Sequence, residues 1–199
     1  ISLISDSSPA PGGGSVSAIA GSLGAALVSM VAALTHEKKD FIRSRKKMNE
    51  IGVKAQDLKD RLIYLGEEDT EAFNAILAAN RLSDKTPEQK KFKEKRAFEA
   101  NKYAIEIPLE TAKLSLEVIK LSLDLIKHGN PNSVTDAEVA SEVGIAGVRG
   151  GCMNVMINLS GLDKFNNYAP DIHNKIDSLI NEANNLHKKA FDNTKKLIN

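Results

Sequence analysis

Residues 9–15 read PAPGGGS, and residues 16–35 continue VSAIAGSLGAALVSMVAALT without a single charge. Three consecutive glycines lose backbone entropy on folding and add no packing, so their corner must serve something a side chain would obstruct. The run behind them is as long as a transmembrane helix requires. Lys38, Lys39, Arg43 and Arg45 follow it as a cytoplasmic flank would. Its composition points the other way. Ala, Gly and Ser dominate, and Ala18, Gly21, Ala25 and Ser29 suit close helix contact in a tightly packed core. A fully buried central helix is the better reading, because every later helix has a charged face that needs water. A helix apolar all round needs neighbours on every side, which a subunit interface would help to supply.

Outward from this run the pattern stays helical. Apolar residues recur at steps of three and four, and alternating β-branched runs bounded by tight turns are nearly absent. The first helix is expected from about Ser15 to Thr35 and a second over about 40–80. Thr86-Pro87-Glu88-Gln89 combines a capping Thr, proline at the first helical position and Gln three residues after the cap. The helix it opens should reach Lys127, with a kink at Pro108. After HGNPNS, Thr135-Asp136-Ala137-Glu138 reads as a second capping box, starting a helix to about Leu159. LDKFNNYAPD reads as a loop, and a last amphipathic helix runs from Pro170 to the C-terminus. The fold class is all-α: a bundle of five to six helices forming one domain over residues 1–199.

Composition excludes several roles. Net charge is +1 and aromatics are 5% of the 199 residues, so no stacking platform or basic field for nucleic acid is present. Hydrophobic residues at 42% and charged residues at 27% are ordinary for a soluble protein. The single Cys152 allows no internal disulfide and fits a reducing compartment, and no basic segment precedes the apolar run as in a signal peptide. A cytoplasmic protein is expected, with no membrane anchor.

Two patterns suggest chemistry. Leu58, Leu62, Leu65, Phe73 and Ile76 share one helical face, and Asp69 falls in the middle of that stripe, while Glu67 and Glu68 point elsewhere. A carboxylate directed at a core needs partners or a raised pKa, which is how proteins tune groups for proton transfer. The alternative is a helix restarting after Gly66, with Asp69 merely serving its dipole. The pattern leaves both open. The second is a face formed by Asp136, Ala140, Gly144, Gly147, Gly151, Asn154 and Asn158. Its glycines suit close helix packing, within the chain or across a dimer, whereas an apolar contact does not require two carboxamides.

Other signals fail. PGGGS lacks the Gly-Lys-Ser/Thr ending of a P-loop, and no strand precedes it as in a dinucleotide fingerprint. What remains is a helix start whose free N–H groups can meet a polar ligand edge. His36, His128, His173 and His187 show no paired-ligand spacing, and with one cysteine no metal site is expected. Cys152 reads as a buried structural thiol. The stretch KKFKEKR at 90–96 reads as a solvated helix face.

SPAPGGGSVSAIAGSLGAALVSMVAALT, EEDTEAFNAILAANRL, EIPLETA and TDAEVA…GVRGGCMNVMINL occur in this order across almost the whole chain. Together they resemble the cyclodeaminase/cyclohydrolase family of folate enzymes, which includes the C-terminal domain of formiminotransferase-cyclodeaminase and stand-alone bacterial methenyltetrahydrofolate cyclohydrolases. The resemblance implies a homodimer acting on a tetrahydrofolate derivative, with no metal and no resident cofactor. The family's catalytic aspartate lies in an Asp-x-x-Ala-Phe segment, which is Asp69-Thr70-Glu71-Ala72-Phe73 here. It is the carboxylate that the helical stripe singles out.

On this resemblance, Asp69 is the catalytic acid/base. Gly12, Gly13, Gly14 and Ser15 supply N–H and hydroxyl donors to substrate, with Pro11 in the same substrate-binding corner, and Asp136, Asn154 and Asn158 shape the pterin or bridge pocket. Lys85, or the 90–96 stretch, meets the glutamate tail. Two reactions stay open, with cyclodeaminase placed first. It converts 5-formiminotetrahydrofolate to 5,10-methenyltetrahydrofolate and ammonia, whereas cyclohydrolase opens 5,10-methenyltetrahydrofolate to 10-formyltetrahydrofolate. A non-catalytic folate-binding bundle is the remaining alternative.

Overall fold

The computed structural model describes residues 2–160, 162 and 168–199, without the side chains of Tyr168 and Ala169. Five long helices run in the order α1 (Gly13–Glu37), α2 (Arg45–Asn80), α3 (Pro87–His128), α4 (Val134–Leu159) and α5 (Tyr168–Ile198). Short 3-10 turns at Lys39–Ser44 and Pro131–Ser133 lead into α2 and α4. No strand occurs among the described residues. Half of the loop expected over LDKFNNYAPD, residues 163–167, lies outside them, and α5 already begins at Tyr168, two residues before the expected start.

Thr86 caps α3 as its sequence predicts. Gln89 N–H donates to Thr86 Oγ1 at 3.2 Å, and Thr86 N–H donates back to Gln89 Oε1 at 3.3 Å. The second expected box does not form. α4 starts at Val134 with Ser133 at the cap position and no side-chain cap bond, so Thr135 lies inside the helix. The Pro131–Ser133 turn, in which Asn132 N–H donates to Asn130 Oδ1, leads the chain into the helix two residues before the expected cap.

α1 corrects a second expectation. It is not buried all round, because its small residues and its large ones face opposite ways. Ala18, Gly21, Ala25, Val28 and Ala32 are buried, while Val16, Ile19, Leu23, Met30 and Leu34 are each 40% or more exposed. The reason is steric. A Cβ added at Gly24 would lie 2.9 Å from the Ala140 carbonyl oxygen of α4 and 2.9 Å from Val118 Cγ1 of α3. Backbone approach that close admits only small side chains on the inner face. α1 therefore meets the length and composition requirements for crossing a bilayer, yet half of it is covered by protein.

The glycines of α4 serve the same packing. Gly144 and Gly147 lie against Ser115 of α3, Gly147 also against the Ser17 carbonyl, and Gly151 against the Pro108 carbonyl. This resolves the ambiguity of the small-residue face: its middle is a three-helix crossing of α1, α3 and α4. Two apolar clusters flank the crossing. One joins α1 and α2 to α3 and α4, and the other packs Ile172, Ile176 and Ala183 of α5 on the far side of α3 and α4.

Candidate active site

α1 runs antiparallel to α4, so the glycine corner at its start lies beside the C-terminal end of α4. The first intrahelical bond of α1 is Val16 N–H to the Gly12 carbonyl at 3.0 Å. Gly13, Gly14 and Ser15 therefore have N–H groups with no intrahelical acceptor, and α1 has neither a side-chain cap nor an acid in its first turn. Asp69 arrives from α2 to fill that role. It accepts the Ser15 hydroxyl at 3.0 Å and also the Ser15 backbone N–H. A Cβ added at Gly14 would sit 2.5 Å from Asp69 Cγ and 2.6 Å from Oδ2. The glycine is what lets the carboxylate reach the helix start.

α2 is continuous through Gly66, so the alternative of a restarted helix is excluded. Asp69 instead caps a different helix. It is half-buried, and burial raises its carboxyl above the ordinary carboxylate value against the lowering effect of the two Ser15 bonds. Glu67 is exposed, but Glu68 is more covered than expected, its side chain only 14% exposed. It is held by Arg61 at 2.7 Å and Tyr103 at 3.3 Å, so Glu68 is committed to tying α2 to α3.

A small cleft of about 120 Å³ opens over Asp69, room for the reacting part of a ligand rather than for a whole drug-sized molecule. Gly12, Gly13 and Gly14 form one wall, Ala72, Phe73 and Ile76 of α2 an apolar one, and Asn154 and Asn158 of α4 a third. Larger clefts lie between α1 and α2 beside His36 and between α2 and α3 beside Phe92. Neither combines a half-buried carboxylate with a hydroxyl and amides.

Pro108 explains part of the third wall. Proline has no N–H, so the carbonyl four residues earlier, Ala104, loses its helical donor. α3 passes through Pro108 as one continuous helix, as its sequence predicts, and Asn158 Nδ2 donates to the Ala104 carbonyl at 2.7 Å. Asn154 Nδ2 likewise donates to the Gly150 carbonyl at 2.8 Å. Because both bonds require the nitrogen, each amide is oriented with its oxygen as the acceptor available to a ligand.

The structure thus brings together Asp69, Gly12, Gly13, Gly14, Ser15, Asn154 and Asn158. It does not bring in Asp136 or Lys85. Asp136 sits in the first turn of α4, eighteen residues before Asn154 and so about 27 Å along the helix. Helical spacing put the two on one face and said nothing of distance along it. Lys85 is exposed in the α2–α3 turn, beyond the end of α2. In the 90–96 stretch, Lys93 pairs with Asp84 at 2.9 Å and Arg96 with Glu99 at 2.9 Å. Pro11 is not among the cleft-lining residues, whereas Pro9 and Ala10 are. Those two were not singled out, since nothing in PAPGGGS tells which residue turns inward. Cys152 is fully buried, with its thiol pushed up to about 11 by burial and by Asp177, as an inert structural thiol should be.

The sequence profile described as formiminotransferase-cyclodeaminase matches residues 1–178. The chain belongs to this family. Within this family of folate cyclodeaminases and cyclohydrolases, it is 34% identical over 196 residues to a methenyltetrahydrofolate cyclohydrolase of Methylorubrum extorquens. That match covers 98% of this chain and 94% of the relative. It is 32% identical over 176 residues to the formimidoyltransferase-cyclodeaminase of Mus musculus, covering 88% of this chain but 32% of that longer protein. The solved formiminotetrahydrofolate cyclodeaminase of Thermotoga maritima superposes with a TM-score of 0.87 at 22% identity, covering 98% of this chain and 93% of that one. At that identity the likeness speaks for the shared helical fold.

Proposed function

We propose that the protein acts on the one-carbon bridge between N5 and N10 of a tetrahydrofolate, with Asp69 relaying the proton. The observation that carries this reading is the half-buried Asp69 carboxylate, fixed by Ser15 and facing a cleft with two amide oxygens. The reaction placed first is methenyltetrahydrofolate cyclohydrolase. This reverses the order expected from sequence, and the support is the near end-to-end similarity to the Methylorubrum extorquens protein. Water adds to the cationic methenyl carbon as Asp69 takes its proton. The resulting tetrahedral carbon then releases N5, which receives that proton from Asp69, while the hydroxyl loses its own proton and becomes the formyl oxygen. A carboxylate beside the cationic bridge also stabilises charge there.

The second reading is formiminotetrahydrofolate cyclodeaminase, favoured by the Mus musculus relative and the family profile. There N10 attacks the formimino carbon and ammonia leaves, passing through a similar tetrahedral carbon between nitrogens. One assay with both folates distinguishes them. Loss of methenyl absorbance faster than spontaneous hydrolysis supports cyclohydrolase, and methenyl formation with ammonia release supports cyclodeaminase. Neither signal, with the protein folded, overturns the catalytic proposal.

No resident cofactor is needed for either route. We place the enzyme in the cytoplasm as a homodimer, with the bare face of α1 at Val16, Ile19, Leu23 and Leu34 as the surface a second copy would cover. A monomer at micromolar concentration, or recovery only with membranes, would sink that part.

A further inference from the structure

At the other end of α4, Glu138 and Glu142 occupy successive turns of one face, and His187 of α5 lies against them. One ligand atom from each of the three falls within 4.8 Å of the others. His187 Nε2 is 3.6 Å from Glu142 Oε2, and its Nδ1 is held by the Ser141 hydroxyl at 3.2 Å. That second contact fixes the ring so that Nε2 points at the carboxylates, as the outer partner of a metal-bound imidazole does.

A separate observation points to a ligand. Glu138 is only 9% exposed, and its Oε1 is buried with no hydrogen-bond partner among the described residues. Its other oxygen has one long contact, from the Thr194 hydroxyl at 3.4 Å. A buried carboxylate oxygen without a donor is costly, and the group that would relieve it must be positive or a proton donor. Glu142 is half-exposed, which leaves a path from solvent.

We propose that Glu138, Glu142 and His187 form a binding site for a divalent cation of the Zn²⁺ type that fastens α5 to α4. Two carboxylates and an imidazole suit Zn²⁺ or a similar first-row ion better than Mg²⁺ or Ca²⁺, which take oxygen ligands. Tetrahedral bonds of about 2.1 Å set ligand atoms roughly 3.4 Å apart. His187 and Glu142 are already near that spacing, and Glu138 closes by an adjustment of about an ångström. The site is separate from the cleft, since Glu142 and Asn154 are about 18 Å apart along α4. Sequence spacing hides it because the imidazole comes from another helix.

The test is calorimetric titration of the chelator-stripped protein with Zn²⁺, with Ca²⁺ as control and Co²⁺ absorption as a report on geometry. The expected result is one equivalent of Zn²⁺ bound, undisturbed by Ca²⁺, with a Co²⁺ spectrum of low coordination number. His187→Ala and Glu142→Gln, both at partly exposed positions, should weaken binding at least about tenfold, and Ser141→Ala by about tenfold through loss of ring orientation. Folate turnover should be unchanged in His187→Ala, keeping this result independent of the proposed activity. No Zn²⁺ uptake by the stripped protein, or equal uptake by wild type and the His187→Ala/Glu142→Gln double variant, overturns the proposal.

Discussion

At its C-terminal end α4 offers two carboxamides to a cleft whose carboxylate, Asp69, arrives from α2. At its N-terminal end the same helix offers two carboxylates to an imidazole arriving from α5. Both ends hold an acid whose pKa is raised by burial, yet their partners differ. Asp69 has the hydroxyl and N–H of Ser15, and Glu138 has an oxygen with no donor among the described residues. Burial alone says that a carboxyl is perturbed; its donors and its access to a cleft say what the perturbation is for.

The strongest way to break the comparison is to neutralise the two ends in turn. Asp69→Asn should lower turnover by about 10²–10⁴-fold in the methenyl absorbance assay, while His187→Ala leaves it near wild type. Near-normal turnover in folded Asp69→Asn would end the assignment. The same variant should be at least as stable as wild type in denaturant titrations near pH 7. The sign follows from linkage: a carboxyl raised by folding loses stability as pH climbs from its unfolded to its folded value, and Asn has no such loss.

Gly14→Ala tests the approach of Asp69 to α1. Its methyl would overlap the carboxylate, costing about 1–3 kcal/mol in urea unfolding together with most of the activity. Full activity would mean that the contact is not used. A pH–rate profile sharpens the picture further. Asp69 must be ionised to accept the proton, so kcat/KM should rise with pH through a value above the ordinary carboxylate range of about 4.

The smallest effect concerns the amide wall. Asn158→Ala should cost about 1–2 kcal/mol by freeing the Ala104 carbonyl, and Pro108→Ala should shrink that cost by restoring a helical N–H. Additive losses in the double variant would refute the coupling.

Much of this was legible in the chain. Thr86 and Gln89 name their own helix start, and the Leu58–Ile76 stripe singles out Asp69, because both are local patterns with a fixed period. The Thr135 box failed because a preceding proline turn had already started the helix. α1 misled because hydropathy counts apolar residues without regard to size, and here size decides which face is inside. Asp136 and Asn154 share a face but lie at opposite ends of it. Asn158 shows its purpose only once Pro108 stands opposite, and the Glu138–His187 pair only once α5 has docked.

The meeting of Gly13 with Asn154, where an added Cβ would lie 3.6 Å from the amide nitrogen, has a consequence for how the chain is born. α1 leaves the ribosome before α4, with α2 and α3 made between them. Before α4 emerges α1 can pack on α2 and α3, with Gly21 against Leu62 and Ser115, but Gly24 still lacks the Ala140 carbonyl and the Gly13 corner still lacks Asn154. Such distant closure slows folding relative to bundles built from neighbours and lengthens exposure of the nascent apolar run. The cleft is therefore complete only once α4 has docked, because a chain that ends before Asn154 lacks one of its walls.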